Sequence, residues 1–234
     1  ISRGSYNEQN PYANRDPRFD LTILHDGSTT PYVKGVVNIH YDPETKSYPL
    51  TDISNVTAEF GIKWGTKEGS KGYSNTGYYM RKLWSGARGD KDIKRYIQEP
   101  LVRLAELYLG YAECVNEAYG PQGKTSDCTL TSLEAVNVVR NRIGMPDVRS
   151  EYTASQELFR ERIHNERNIE LAFEGNNYYF DIRRWKTAPQ AMGQTLMGMY
   201  IEKCEVSPEH PVGRKYERRA IPQNRQCVWK DCMY

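Results

Sequence analysis

Between residues 101 and 119 apolar side chains return every three or four positions, as Leu101, Leu104, Ala105, Tyr108, Tyr111, Ala112, Val115 and Ala118. That spacing predicts one helix with a broad apolar face. Pro100 stands at its start, where a missing N–H costs little, and Gly120-Pro121 at its end. Cys114 falls on this helix and is expected to behave as a small buried hydrophobe. After a polar loop, Thr131 and Glu134 form a capping box, and Leu133, Val136, Val139, Arg140 and Ile143 give a second helix, 132–143, its inner face. Gly144 and Pro146 stop it. A third helix is predicted over 154–174, with Thr153 and Gln156 as its capping box. Its recurring positions are Phe159, Ile163, Arg167 and Glu170, and beside them Arg162, Glu166, Ile169 and Phe173. Charged side chains thus occupy core-like positions, and a buried charge needs a partner. Gly175 with Asn176-Asn177 predicts a tight turn, and a fourth helix, 177–186, folds back with Asp181, Arg184 and Trp185 facing the third. The expectation is a helical hairpin locked by an internal ion network of Glu166, Arg167, Glu170, Glu174, Asp181 and Arg184.

The flanks lack this periodicity. Residues 1–95 form a loop-rich segment, 96–186 the helical part and 187–234 an irregular tail. Asn10-Pro11, Asp16-Pro17, Asp26-Gly27 and Asp42-Pro43 mark turns. Phe19–Leu24 is expected as a short strand and Val33–Tyr41 as an extended segment. Leu196–Glu205 is compatible with a strand or a short helix. A glycine-rich run carries Trp64, Tyr73, Tyr78, Tyr79 and Trp84, and its glycines at 61, 65, 69, 72 and 77 follow no phosphate-loop pattern. A ring in such a loop is hard to bury. Trp64 and Tyr73 are therefore the candidate ligand-stacking residues, with Trp84 a third that supports the loop from below.

Charge and chemistry narrow the field. The chain has 234 residues, 32 basic and 30 acidic, for a net charge of +2. That balance does not suit a polyanion-seeking surface. Its basic clusters, Arg183-Arg184, Arg214-Lys215 and Arg218-Arg219, are short, so no nucleic-acid partner is expected. The five cysteines fit no metal spacing. Cys227 and Cys232 are near enough for a loop disulfide, and Cys204 is an alternative partner for either. His25, His40 and His210 stand alone in polar loops and are expected to be solvated. Glu166 and Glu170 lie one turn apart, and Glu161 and His164 have the E-x-x-H spacing of di-iron bundles. Such a centre needs a second motif and two further glutamates, which the sequence does not offer. Arg160, Arg162 and Arg167 on the same helix favour ion pairs instead. No serine has a nucleophile-elbow glycine pattern. The reading is no enzyme, no catalytic residue, no metal and no cofactor. No stretch reaches transmembrane length.

Several separated stretches carry a family resemblance. ERNIELAFEGNNYYFDIRRW, with Glu166-Arg167, Glu170 to Gly175, Asp181 and Arg184-Trp185, closely resembles the signature of the SusD/RagB family. Asn176-Asn177 stand where the family often has His-Arg. NPYANRDPRF (10–19), TGYYMRKLW (76–84) and RLAELYLGYAECVNE (103–117) are similar to further family motifs, as is the run from Ala135 to Gly144. The tail through Tyr216, Ile221 and Pro222 resembles the family's closing segment, while Cys227 to Tyr234 departs from it. The resemblance implies an all-α, or mainly α, fold with long irregular loops: a tetratricopeptide-like α-α superhelix of SusD-like type. It also implies that the chain is the C-terminal half of a longer protein, which fits a chain that begins at Ile1 with no visible signal peptide. Members are surface nutrient-binding lipoproteins of Bacteroidetes. The implied function is capture of a nutrient, a glycan before a peptide, for a SusC-like TonB-dependent outer-membrane transporter. The implied home is the extracellular face of the outer membrane, with a lipid anchor at an N-terminus outside this chain. The alternatives are a peptide- or protein-binding SusD-like protein and a helical-repeat interaction scaffold.

Overall fold

In a computed structural model, the structure describes residues 6–31, 33–53, 56–59, 74–84, 100–175 and 177–221. Trp64, Tyr73, the glycines at 61, 65, 69 and 72, and Cys227 and Cys232 lie outside them. Contacts divide the chain into two compact units, one of residues 1–97 with 187–234 and one of residues 98–186.

The second unit is helical: α2 (Leu104–Tyr119), α3 (Ser132–Asn141), α4 (Gln156–Glu170) and α5 (Asn177–Arg184). The first unit holds α1 (Pro17–Thr22), β1 (Ile23–Leu24), β2 (Val33–Lys34), β3 (Leu50–Ile53), β4 (Val56–Glu59), β5 (Tyr79–Met80), α6 (Ala188–Met192), β6 (Met197–Lys203) and β7 (Arg214–Ala220). The architecture is mainly α with short strands.

In the helical unit α2 packs on both α3 and α4. Ala105, Leu109 and Ala112 of α2 meet Ala135, Val136 and Val139 of α3 and Phe159 and Ile163 of α4 in one core. Alanines at the crossings let the helices approach closely, and Phe159, with no exposed surface, fills the space between them. α3 begins on the predicted box: the Thr131 hydroxyl accepts from Glu134 N, and Glu134 Oε2 accepts from Thr131 N at 2.7 Å. Gly144, at φ 74°, ends the turn behind it in the left-handed region that glycine tolerates.

Several expectations are corrected. The first long helix starts at Leu104, with Arg103 as its cap, so Leu101 and Leu104 are exposed and the fully buried Leu109 takes the central core position. Cys114 is exposed. A position two residues from the centre of the buried stripe lies on the far side of a 3.6-residue turn. α4 is capped by Ser155, whose hydroxyl accepts from Leu158 N, while Thr153 closes a 3-10 turn over Ser150–Thr153. α4 ends at Glu170, and Phe173 lies in the left-handed region at φ 64°, half exposed.

In the first unit Phe19 belongs to α1 rather than to a strand. Asp16 caps that helix and Pro17 opens it, a start signal that outweighs the β propensity of the residues behind. Only Val33–Lys34 of the predicted extended segment is strand. The tail is more regular than expected. β6 and β7 pair antiparallel from Met197↔Ala220 to Lys203↔Arg214, which decides Leu196–Glu205 in favour of strand. Ile201 O accepts from Tyr41 N at 2.8 Å, and Thr76 O accepts from Met199 N at 2.8 Å, so residues distant in sequence line the hairpin. Leu24, Val37, Ile39, Met199 and Ile201 form this unit's core.

His25 and His40 are buried, not solvated. Asp26 explains His40: one carboxylate oxygen accepts from Ile39 N at 2.7 Å and meets His40 Nδ1 at 2.7 Å, while the other accepts from Arg214 Nε at 2.9 Å. These bonds outweigh the cost of burial and hold the Asp26 carboxyl below the usual carboxylate range. His25 lies flat against Tyr12, with ring centroids 4.1 Å apart, and its Nε2 meets Asp20 at 2.8 Å. His210 is half-buried.

Candidate functional site

The charged positions of α4 and α5 meet partners in three knots. In the first, Arg167 of α4 holds Asp181 of α5 through Nε at 2.8 Å and Nη2 at 3.2 Å. Arg184, one turn on, donates Nε to Asp181 at 2.9 Å and turns its other end to Glu113 of α2, with Nη2 to Oε2 at 2.6 Å and Nη1 bonded to Oε1. Trp185 Nε1 donates to the same glutamate at 2.7 Å. His164 stacks on Trp185, with ring centroids 3.6 Å apart.

In the second knot Arg103, at the foot of α2, binds Glu174 through Nε at 2.6 Å and Glu170 through Nη1 at 2.7 Å, and its Nη2 donates to the Glu170 carbonyl at 2.7 Å. Arg142 adds a bond to Glu170 at 2.8 Å. Glu170 is the last residue of α4, and the bond to its carbonyl makes Arg103 a cap on that helix end. In the third, Arg140 of α3 binds Glu166 of α4 at 2.8 Å, with the two side chains 3% and 0% exposed.

The structure therefore brings Arg167, Asp181 and Arg184 together and takes Glu170 and Glu174 to arginines outside the hairpin, while Glu166 meets both Arg140 of α3 and, at 3.5 Å, Arg162 of α4 itself. The network is not internal to α4 and α5 as the sequence reading expects; it joins α2, α3, α4 and α5. Arg103, Glu113, Arg140, Arg142 and Trp185 are the members that reading left out. Arg103 and Glu113 stand in a stretch that carries family resemblance, but nothing in their local spacing names the helix they reach.

Electrostatics follow from this geometry. Burial works against the Glu113 carboxylate, but bonds from Arg184 and Trp185 outweigh it and hold its pKa below the ordinary glutamate value. Glu113 and Asp181 in turn raise the Arg184 guanidinium. Burial, with Arg184 nearby, lowers His164 to about 4. The pairing carboxylates are bound by guanidinium groups instead of facing open space. Among the described residues no group of three His, Cys, Asp or Glu is placed to hold a metal ion. What these charges do is fasten helices.

Recognition surfaces lie elsewhere. Trp84 is half-buried and packed against the core of the first unit. In the helical unit Tyr178, Tyr179 and Phe180 are each about half exposed. The Arg183 guanidinium lies 3.4 Å from the centre of the Tyr179 ring. A cleft of about 360 Å³ runs beside α2, lined by Leu107, Gly110, Cys114 and Arg184 among others. No helix of the described residues is long and apolar enough to cross a membrane.

Comparison with known proteins places this arrangement. A crystal structure of a SusD-like protein from Bacteroides fragilis superposes with a TM-score of 0.57 at 26% identity, covering 95% of this chain and 35% of that one. A SusD-like carbohydrate binding protein from the same organism superposes with a TM-score of 0.57 at 27% identity, covering 94% of this chain and 39% of that one. SusD-like protein P25 of Formosa agariphila is 34% identical over 134 residues, which are 56% of this chain and 24% of that protein. The chain thus spans well under half the length of each of these relatives, less than the half expected from its motifs. The model of the SusD family matches residues 2–210. With that match over most of its length, and the fold of solved members, the chain belongs to the SusD family.

Proposed function

We propose that this chain is part of a surface nutrient-binding protein that captures a glycan for a SusC-like TonB-dependent outer-membrane transporter. One observation carries the glycan reading: a solved relative that matches 94% of this chain at 27% identity is a carbohydrate binding protein. In this proposal Trp64 and Tyr73 stack on sugar rings, and Trp84, half-buried on the core, is the third candidate. The protein is held at the extracellular face of the outer membrane by a lipid anchor outside these residues. It performs no chemistry of its own. A peptide or protein ligand is the second reading. The exposed rings of Tyr178, Tyr179 and Phe180 favour it, because aromatic side chains are enriched where proteins meet.

Calorimetry on the full-length protein with a panel of oligosaccharides and peptides tests both. An oligosaccharide is expected to bind, and Trp64→Ala and Tyr73→Ala each to weaken it about tenfold, roughly 1.4 kcal/mol. Binding of peptides alone would reverse the order of the two readings. Undiminished sugar binding in both variants would place the site on other residues.

A further inference from the structure

The β6–β7 hairpin has two long edges, and other parts of the same unit fill the one along β6. Met199 N donates to Thr76 O at 2.8 Å, Tyr41 N donates to Ile201 O at 2.8 Å, and Lys203 N donates to Tyr41 O at 2.9 Å. Met199, Ile201 and Lys203 therefore turn their backbone groups away from β7. In an antiparallel pair the residue directly opposite does the same. The register sets Met199 against Arg218, Ile201 against Tyr216, Lys203 against Arg214 and, in the same alternation, Met197 against Ala220. Arg214, Tyr216, Arg218 and Ala220 thus point their N–H and C=O groups outward along the far side of β7. Among the described residues none of these backbone groups has a hydrogen-bond partner. Arg218 and Ala220 are exposed. A row of unpaired backbone donors and acceptors is a template for one more strand.

Charge selects what fills it. β7 carries Arg214, Lys215, Arg218 and Arg219 against a single acid, Glu217. Asp26 holds Arg214 at 2.9 Å, and Glu217 holds Arg219 at 2.6 Å. Lys215 and Arg218 have no ion-pair partner among the described residues. The edge repels a second β7, because like charges opposite one another destabilise a strand pair. Residues 222–234 of the chain match it no better, with Arg225 and Lys230 against Asp231.

We propose that the outer edge of β7 receives an extended acidic segment of another protein. That segment adds a strand to the hairpin through backbone bonds to Arg214, Tyr216, Arg218 and Ala220, and its carboxylates pair with Lys215 and Arg218. The backbone bonds give such a contact its affinity, and the two cations give it a preference for acid. The surface is separate from the aromatic residues proposed for nutrient capture, so it stands whichever ligand they take.

The probe is a fluorescent peptide of alternating Glu and Val, as long as the 7 residues of β7, added to the full-length protein. Anisotropy should show saturable binding, about tenfold or more tighter than that of the matching Lys and Val peptide, and weaker as salt is raised. No binding, or equal binding of the two peptides, overturns the acidic partner. Charge attraction alone would also favour the acidic peptide, so amide exchange tests the strand. In the free protein the amides of Tyr216, Arg218 and Ala220 should exchange fast, and the peptide should slow them about tenfold or more, read by mass spectrometry with residue-level fragmentation. Slow exchange already in the free protein would mean that the polypeptide covers its own edge, and binding without added protection would mean charge alone; either overturns the proposal. Arg218→Pro and Arg218→Gln lose the same charge, and only the proline also loses the outward N–H, leaving the bonds to β6 in place. The proline variant should bind the acidic peptide about tenfold more weakly than the glutamine variant. Equal affinities overturn the backbone contact.

Discussion

Glu113 shows how much one residue gathers here. It accepts from Arg184 twice and from Trp185, and it lies 3.9 Å from both His164 and Arg167. His164 beside it is held neutral, its pKa lowered to about 4 by burial and by Arg184. In the unfolded chain the same imidazole titrates near 6.5. Between those two values the unfolded state binds more protons, so stability is fully present above pH 6.5 and falls as the pH drops toward 4. The site is partly open to solvent, and screening limits the effect to ~1–2 kcal/mol. His164→Phe keeps a ring against Trp185 and removes the titration. Urea unfolding from pH 7.5 to 4.5 should therefore show the parent losing stability relative to this variant. Parallel profiles would mean that His164 is not the titrating group.

Between elements, the Arg140–Glu166 pair ties α3 to α4 in a buried setting, 3% and 0% exposed. Removing one partner leaves the other charged and without water. Glu166→Ala or Arg140→Ala is expected to cost about 3–5 kcal/mol, seen as a lower melting temperature or loss of folded protein. Replacing both at once, Arg140→Met with Glu166→Leu, removes the desolvation cost together with the attraction. It should recover most of that loss. A double variant as unstable as the sum of the singles would contradict this account. The elements themselves were largely legible. The capping box at Thr131 set the start of α3, and the recurrence of Phe159 and Ile163 gave the inner face of α4. The inner face of α2 was read mostly as it stands, since Ala105, Tyr108, Tyr111, Ala112 and Val115 are buried or packed on the core; Leu109 was missed, and Leu101 and Leu104 are exposed. Periodicity set the face, and the packing of α3 and α4 fixed its centre at Leu109.

For the whole molecule, the family and the mainly α fold place the chain among SusD-like proteins. The proposed location has a direct check. Intact cells treated with a protease that does not cross the outer membrane should lose the full-length protein, while periplasmic markers survive. Survival of the protein until the cells are lysed would refute an extracellular face. The two compact units divide the labour of recognition unequally in this proposal. The proposed stacking residues Trp64 and Tyr73 fall within the sequence range 1–97, and the ion-fastened helices within 98–186.

Although the helix that Pro17 opens was read as a turn and a strand, the sequence alone determined the four helices between residues 104 and 184 to within a few positions, where Thr131 starts its helix, and which family the motifs resemble. All of these depend on neighbours a few positions away or on fixed strings. It also marked the charges of α4 as residues in need of partners, since charge at a core spacing is visible in one dimension. Which partners they take was a tertiary decision. Glu174 meets Arg103 across 71 residues of sequence, and Arg184 meets Glu113 across 71. The burial of His40 depends on Asp26 and Arg214, which are 188 residues apart. An arginine offers the same donors to every carboxylate within reach, so spacing along one helix cannot select among them. Only the packing of helix on helix fixes the distances that do.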